Sequence, residues 1–218
     1  MRMLIENWMT KDVIAGTPDM SMMKAAKIMK EKSIGRLPVV DEKGILVGLV
    51  SDRDIKEASP SKATTLDMHE LYYLLSEIKL KDIMTKKVVT IHTGETIERA
   101  AQLMLEHNIG GMPVVDENNK VVGVITDADI FKVLVRITGV MEGGVQIGVR
   151  LPNEPGGMVP VLDYLKDNGA RLMSLLTSCE PAEVGMREVF IRIRDMDKAA
   201  LNKLKDGMFK QFDMIYWV

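Results

Sequence analysis

The sequence contains a single cysteine, Cys179, in 218 residues. No disulfide can form within the chain and no thiolate metal centre can be assembled. A lone thiol suits a reducing interior. Neither sign of charge is in surplus: 29 Lys and Arg face 31 Asp and Glu, for a net charge of −2. That balance argues against a surface built to coat nucleic-acid phosphates. No apolar run approaches the ~20 residues of a membrane-spanning helix. The opening Met1-Arg2-Met3-Leu4-Ile5-Glu6-Asn7 reaches charge too early for a signal peptide. Aromatic residues are scarce at 5%, whereas methionine occurs 18 times, so thioethers do the gap-filling that Phe would otherwise do. His69, His92 and His107 lack metal-ligand spacing, and no nucleophile elbow or Walker loop is present. Together these absences favour a cytoplasmic binding protein over an enzyme. With 46% hydrophobic and 28% charged residues, the composition is that of a globular chain.

What is present is an internal repeat. Displaced by 75 positions, residues 9–55 match residues 84–130 at 20 of 47 positions without a gap. Met9-Thr10-Lys11 falls on Met84-Thr85-Lys86, and Pro38-Val39-Val40-Asp41-Glu42 on Pro113-Val114-Val115-Asp116-Glu117. Gly48 falls on Gly123, and Asp52-x-Asp54-Ile55 on Asp127-x-Asp129-Ile130. Each copy predicts a β-α-β-β-α unit. A short extended piece (Val13-Ile14, Val88 to Ile91) precedes an amphipathic helix, closed by Gly35 or Gly110. Two apolar strands joined by an Asp/Asn/Gly turn follow, and a second helix opens at Ser51 or Thr126. About 50 residues bury a core poorly alone, so the copies should pack on each other. Between them, residues 67–80 predict a helix with Leu71, Leu74, Leu75 and Ile78 on one face.

Beyond Gly139 the pattern changes. Glu142-Gly143-Gly144 reads as a flexible joint. Strands over 145–151, 172–177, 188–194 and 211–218, with helices over 159–167 and 197–205, form a β-α-β-β-α-β order, the ferredoxin-like split unit. Arg187, Arg192 and Arg194 read as a solvated strand face, since no aromatics are interleaved with them.

The most informative constellation is the duplicated Gly48-Leu49-Val50-Ser51-Asp52-Arg53-Asp54 and Gly123-Val124-Ile125-Thr126-Asp127-Ala128-Asp129. A hydroxyl at a strand-to-helix turn with a carboxylate three residues on is a capping-box pattern. The same geometry suits a sugar phosphate: the hydroxyl and amide N–H groups favour phosphate, and the carboxylate accepts bonds from vicinal sugar hydroxyls. Capping and binding are compatible. The copies differ in charge, with Arg53 against Ala128 and Arg36 against Gly111, so only the first offers guanidinium groups at these positions.

These motifs resemble the cystathionine-β-synthase (CBS) domain pair, or Bateman module. The resemblance rests on the two Met-Thr openings, the two Ile-Gly-x-x-Pro-Val-Val-Asp stretches and the two Gly-x-x-Ser/Thr-Asp-x-Asp stretches, over about residues 4–138. The last part resembles an ACT domain, with Leu151-Pro152-Asn153-Glu154-Pro155-Gly156-Gly157 in the place of that family's Asp-x-Pro-Gly loop and Asn153 where an Asp is common. The order CBS-CBS-ACT resembles the AcuB acetoin-utilisation regulators. The expected organisation is a first CBS repeat over 4–56, an insertion over 57–81, a second repeat over 82–138, a linker over 139–144 and an ACT-like domain over 145–218.

The resemblance implies an adenosyl ligand (AMP, ADP, ATP, NAD or S-adenosylmethionine) in the cleft between copies. By position, Asp54 and Asp129 would hold ribose hydroxyls, and Ser51 and Thr126 would face ribose or phosphate. The surroundings of Val13, Ile14, Arg36, Leu37, Pro38, Val88, Val89, Gly111, Met112 and Pro113 would enclose the base. Arg53 would pair with phosphate or be an ordinary solvated helix residue. In the ACT-like part, Asn153, Gly156 and Gly157 are candidates for an amino acid, or form a plain strand-to-helix turn. The expected protein is a homodimeric regulator with a protein partner and no membrane or nucleic-acid contact. Its rival is an oligomerisation module with empty clefts.

Overall fold

The computed structural model describes residues 3–59, 76–178 and 184–218. Cys179, His69 and most of the helix expected over 67–80, including Leu71, Leu74 and Leu75, lie outside the described residues. The chain divides into two compact units, Met1–Ile130 and Phe131–Val218.

In the first unit the two copies fold alike, position by position. Helix α1 (Met22–Lys32) starts where Ser21 Oγ accepts the Lys24 N–H at 3.3 Å, and α4 (Ile97–His107) where Thr96 Oγ1 accepts the Arg99 N–H at 3.3 Å. Both helices stop at a residue in the left-handed region, Ser33 (φ 53°) and Asn108 (φ 52°). The expected stop at Gly35 and Gly110 lies two residues late. Their carbonyls instead accept the N–H groups of Asp52 and Asp127, at 3.1 and 3.2 Å. Each copy continues as an antiparallel hairpin, β1 (Arg36–Val40) with β2 (Leu46–Ser51), and β4 (Gly111–Val115) with β5 (Val121–Thr126). The hairpins share a register irregularity, after Val39 and after Val114. Parallel β3 (Ile91–His92) adds to β4, and a single parallel bridge between Gly16 and Val39 is its counterpart in the first copy. Val13-Ile14 and Val88-Val89 therefore precede the strand contact. Helix α2 (Asp52–Ala58) follows β2, and α5 (Asp127–Thr138) follows β5. The buried sets coincide: Met22, Ala25, Met29, Leu37, Val39 and Val50 in one copy, and Ile97, Ala100, Met104, Met112, Val114 and Ile125 in the other.

The copies exchange their leading segments. Residues 3–10, ahead of the first copy, complete the second: the Ile5 N–H donates to Glu95 O at 2.9 Å, and Thr10 bridges Val124. Residues 78–85, which include the short helix α3 (Leu80–Ile83), complete the first: the Leu80 N–H donates to Met20 O at 2.9 Å, and Thr85 bridges Leu49. Ile5 and Leu80, both fully buried, plug equivalent places in opposite copies. The exchange explains two sequence motifs at once. Met84 lies where a side chain on Gly48 would project, and Met9 lies likewise against Gly123. The hairpin turns also pair reciprocally, Leu46 N–H to Asn119 O at 3.1 Å and Val121 N–H to Gly44 O at 3.2 Å.

The second unit contains β6 (Val145–Pro152), α6 (Val159–Asp167), β7 (Leu172–Thr177), β8 (Met186–Ile193), α7 (Lys198–Gln211) and β9 (Asp213–Trp217), the expected β-α-β-β-α-β order. The strands form one antiparallel sheet in the order β7-β8-β6-β9. Ile147, Val149, Val189, Ile191 and Ile193 pack against Val161 and Leu165 of α6 and Leu204 and Met208 of α7. Helix α7 runs past its expected end at Lys205. Within it, Gly207 leaves the space that the Tyr164 hydroxyl occupies. Arg192 departs from the expected solvated face. It is 9% exposed and donates to Gly143 O at 3.2 Å and to Gln146 Oε1 at 2.8 Å.

Candidate functional site

Both strand-to-helix turns are closed by hydrogen bonds onto the acid three residues on, and the first is reciprocal. The Ser51 N–H and Oγ–H donate to Asp54 Oδ2 at 2.6 and 2.7 Å, and the Asp54 N–H donates to Ser51 Oγ at 3.4 Å. The Thr126 N–H and Oγ1–H donate to Asp129 Oδ2 at 3.1 and 2.7 Å. Capping is therefore part of what Ser51, Asp54, Thr126 and Asp129 do. In each turn the bonds converge on one carboxylate oxygen, Oδ2, which orients the group rigidly.

Two cavities open beside these turns, and they are the same cavity seen twice. The larger, about 680 Å³, is lined by Ser51, Asp52, Arg53 and Asp54 from the first copy, and by Thr85, Lys87, Val88, Val89, Asn108 and Gly110 among others. The smaller, about 190 Å³, is lined by Thr126 and Val124 from the second copy and by Thr10, Asp12, Val13, Ile14, Ser33 and Gly35 among others. Moved by 75 positions, these walls coincide: Thr10 with Thr85, Val13-Ile14 with Val88-Val89, Ser33 with Asn108, Val124 with Leu49, Thr126 with Ser51. The exchange of leading segments builds this arrangement, because each cavity takes one wall from each copy. The larger lies within the range of roughly 300–1,000 Å³ usual for small-molecule pockets, and the smaller falls below it.

The structure sorts the residues singled out in the sequence. Ser51, Arg53, Asp54, Val88, Val89 and Gly111 line the larger cavity, Val13, Ile14 and Thr126 the smaller, and Arg36 both. Asp129 is 6% exposed beside Thr126. Leu37 and Met112 are fully buried, and Pro38 and Pro113 are buried with them in β1 and β4. These four act as core rather than as accessible walls. Arg53 is 84% exposed, with Glu57 3.9 Å away, a pairing too weak to hold it from another anion. Arg36 explains its own asymmetry with Gly111. Its guanidinium lies over Gly110 and Gly111, so a side chain at 111 would meet Arg36 Nη1 at 3.3 Å and the Ile125 carbonyl at 3.0 Å.

Sequence reasoning missed Lys87 and Asp12, which occupy equivalent positions and line the larger and smaller cavities respectively. The repeat alignment already pairs them. Only the exchange of segments places them in the clefts.

The duplication is matched at the level of sequence by a known family. The profile of the CBS domain matches residues 5–61 and again 80–136. The chain belongs to the CBS domain family. A CBS domain-containing protein of Dictyostelium discoideum is 32% identical over 137 residues, covering 63% of this chain and 94% of that protein. The L-aspartate semialdehyde sulfurtransferase of Methanocaldococcus jannaschii is 35% identical over 127 residues, but the match spans 58% of this chain and only 22% of that enzyme. Among solved structures, a CBS domain pair in complex with 5′-methylthioadenosine and S-adenosyl-L-methionine has a TM-score of 0.50 at 34% identity, covering 60% of this chain and 94% of that one. CBSX2 in complex with AMP has a TM-score of 0.52 at 29% identity, covering 62% and 98%. The structure of an acetoin utilization protein (AcuB) from Vibrio cholerae has a TM-score of 0.54 at 26% identity, covering 65% and 97%.

The 145–218 part contributes a third cavity, about 250 Å³, lined by Asn153, Gly156, Gly157 and Arg187 among others. The Gly157 and Val159 N–H groups already donate to Glu154 O at 3.0 Å and Gly156 O at 2.9 Å. The turn thus satisfies both amides, of which that of Gly157 belongs to the expected amino-acid site. No helix among the described residues is long and apolar enough to cross a membrane.

Proposed function

We propose that this CBS pair is a regulatory sensor of adenosyl ligands, acting in the cytoplasm as a homodimer. The carrying observation is the pair of equivalent cavities, the larger lined by Asp54, whose carboxylate its capping box orients, and the smaller lined by Thr126, which donates to the equivalent Asp129. In this reading Asp54 and Asp129 accept bonds from the ribose diol, and Ser51 and Thr126 face ribose or phosphate. Val88-Val89 and Val13-Ile14 supply the half-buried apolar wall for the base. The CBS pairs solved with AMP and with S-adenosylmethionine and 5′-methylthioadenosine support this ligand class. The unit containing residues 145–218 serves as an ACT-like output element, consistent with its β-α-β-β-α-β order. Ligand in the clefts favours one packing of the pair and biases the output element through residues 131–144, towards a regulated protein partner. The likeness to AcuB supports a regulator of that kind.

A thermal-shift screen with AMP, ADP, ATP, NAD and S-adenosylmethionine tests the reading, because a ligand bound to the native state alone raises Tm. A concentration-dependent rise with an adenosyl compound is expected. No rise with any of them at millimolar concentration overturns the sensor and leaves an interaction module.

A further inference from the structure

The two crevices share their apolar walls but differ in charge. At the position where the larger presents Lys87, the smaller presents Asp12, and both side chains are exposed. At the position where α2 carries Arg53, α5 carries Ala128. Between equivalent positions the crevices thus differ by three unit charges, two from Lys87 against Asp12 and one from Arg53 against Ala128. Arg36 adds to the same side. It lines both cavities, but its guanidinium rests against Gly110 and Gly111, which line the larger. The larger crevice therefore gathers Arg36, Arg53 and Lys87, with Asp52 and Asp54 on the helix side.

We infer that the crevices select ligands by charge: the Ser51 crevice takes an adenine nucleotide with a polyphosphate tail, and the Thr126 crevice takes an adenosyl compound without phosphate, neutral or cationic at its 5′ substituent. This rests on the reading of both crevices as adenosyl sites. A triphosphate needs several cationic donors arranged around it, which guanidinium and ammonium groups supply. Asp12 repels the same tail and attracts a sulfonium or ammonium group. One chain would then register an energy-rich nucleotide and an uncharged or cationic adenosyl metabolite together, with separate binding sites for each.

Titration calorimetry of the full chain with ATP and with S-adenosylmethionine tests the assignment. Wild type is expected to bind one ATP, and S-adenosylmethionine is expected still to bind once ATP is saturating. Lys87→Asp should weaken ATP by about tenfold or more while leaving S-adenosylmethionine within about twofold. Asp12→Lys should do the reverse and admit a second ATP. Both positions are exposed, and far-ultraviolet circular dichroism checks that each variant is folded; Lys87→Ala and Asp12→Asn give the same comparison with smaller perturbation. Wild type binding two equivalent ATP molecules, or ATP affinity unchanged in both Lys87 variants, overturns the charge assignment and leaves the sensor intact. Binding of neither ligand, nor of AMP or 5′-methylthioadenosine, overturns both.

Discussion

At the scale of single residues, the carboxylates of Asp54 and Asp129 serve two roles at once. Each accepts two bonds on Oδ2 from the hydroxyl residue that opens its helix; Asp54 also lines the larger crevice, and Asp129 lies buried beside Thr126, which lines the smaller. The roles separate by substitution. Ser51→Ala removes the hydroxyl but leaves the Asp54 carboxylate, and should cost about 1 kcal/mol in denaturant unfolding. Asp54→Ala removes the acceptor for both bonds and for a ribose, so AMP affinity by calorimetry should fall at least about tenfold below that of Ser51→Ala. Equal and small losses of affinity in the two variants would reduce the carboxylate to a cap. The hydroxyl and acid were legible in the sequence because capping is local, three residues apart. Lys87 and Asp12 were not, because a charge two residues past a Met-Thr pair looks like ordinary surface until its segment is placed.

At the scale of elements, the decisive feature is the exchange of leading segments. Helix, hairpin and helix were readable from periodicity and turn residues, but which copy each Met-Thr segment completes depends on contacts about 115 and 35 residues apart, Thr10 with Val124 and Thr85 with Leu49. Removing residues 1–10 takes Ile5 out of the second copy's core and Met9 off Gly123. Native-state hydrogen exchange should then accelerate at Ile97 and Val124, which lose the carbonyls of Met3 and Thr10, more than at Met22 and Leu49. Equal acceleration in both copies would mean that the segments do not stabilise them selectively. The segment carrying α3 is tied to the first copy partly by Lys81 Nζ, 2.7 Å from Asp19 Oδ1. That contact holds the Asp19 carboxyl below its ordinary 3.8 and the Lys81 ammonium above its ordinary 10.5, chiefly through their hydrogen bond. The Asp19 contribution to stability is present above its unfolded value and disappears as pH falls through the lowered folded one; that of Lys81 is present below its unfolded value and disappears as pH rises through the raised one. Both groups lie open to solvent, so Asp19→Asn should lower Tm only slightly at neutral pH, and the difference from wild type should vanish in acid. A difference that persists once Asp19 is protonated would assign the effect to something other than the pair.

At the scale of the whole molecule, the chain is two compact units with one proposed line of communication. Ligand linkage distinguishes communication from mere connection. At 100 times its Kd, AMP should stabilise the CBS pair by about 2.7 kcal/mol. If the output element responds, amide exchange in β6 to β9 should also change on adding AMP, although the proposed crevices lie entirely in the first unit. Slowed exchange confined to the CBS pair would sink the coupling while leaving the sensor. The β-α-β-β-α-β order of the second unit was legible because apolar and polar residues alternate in two of its strands, 145–151 and 188–194. Helix α7 runs beyond the expected 197–205, and only the packed position of Tyr164 shows what the missing side chain of Gly207 makes room for.

The duplication, the hairpins, the capping boxes and the membership of the CBS family follow from the residues alone, because each rests on identity at a fixed offset or on bonds between near neighbours. The tertiary structure decided the rest. It placed Leu37 and Met112 in the core, made Arg192 a buried donor and brought Lys87 and Asp12 to the clefts. The physical reason is that a crevice between two copies is assembled from segments far apart in the chain. The charge a ligand meets there is therefore set by packing, which no local pattern records.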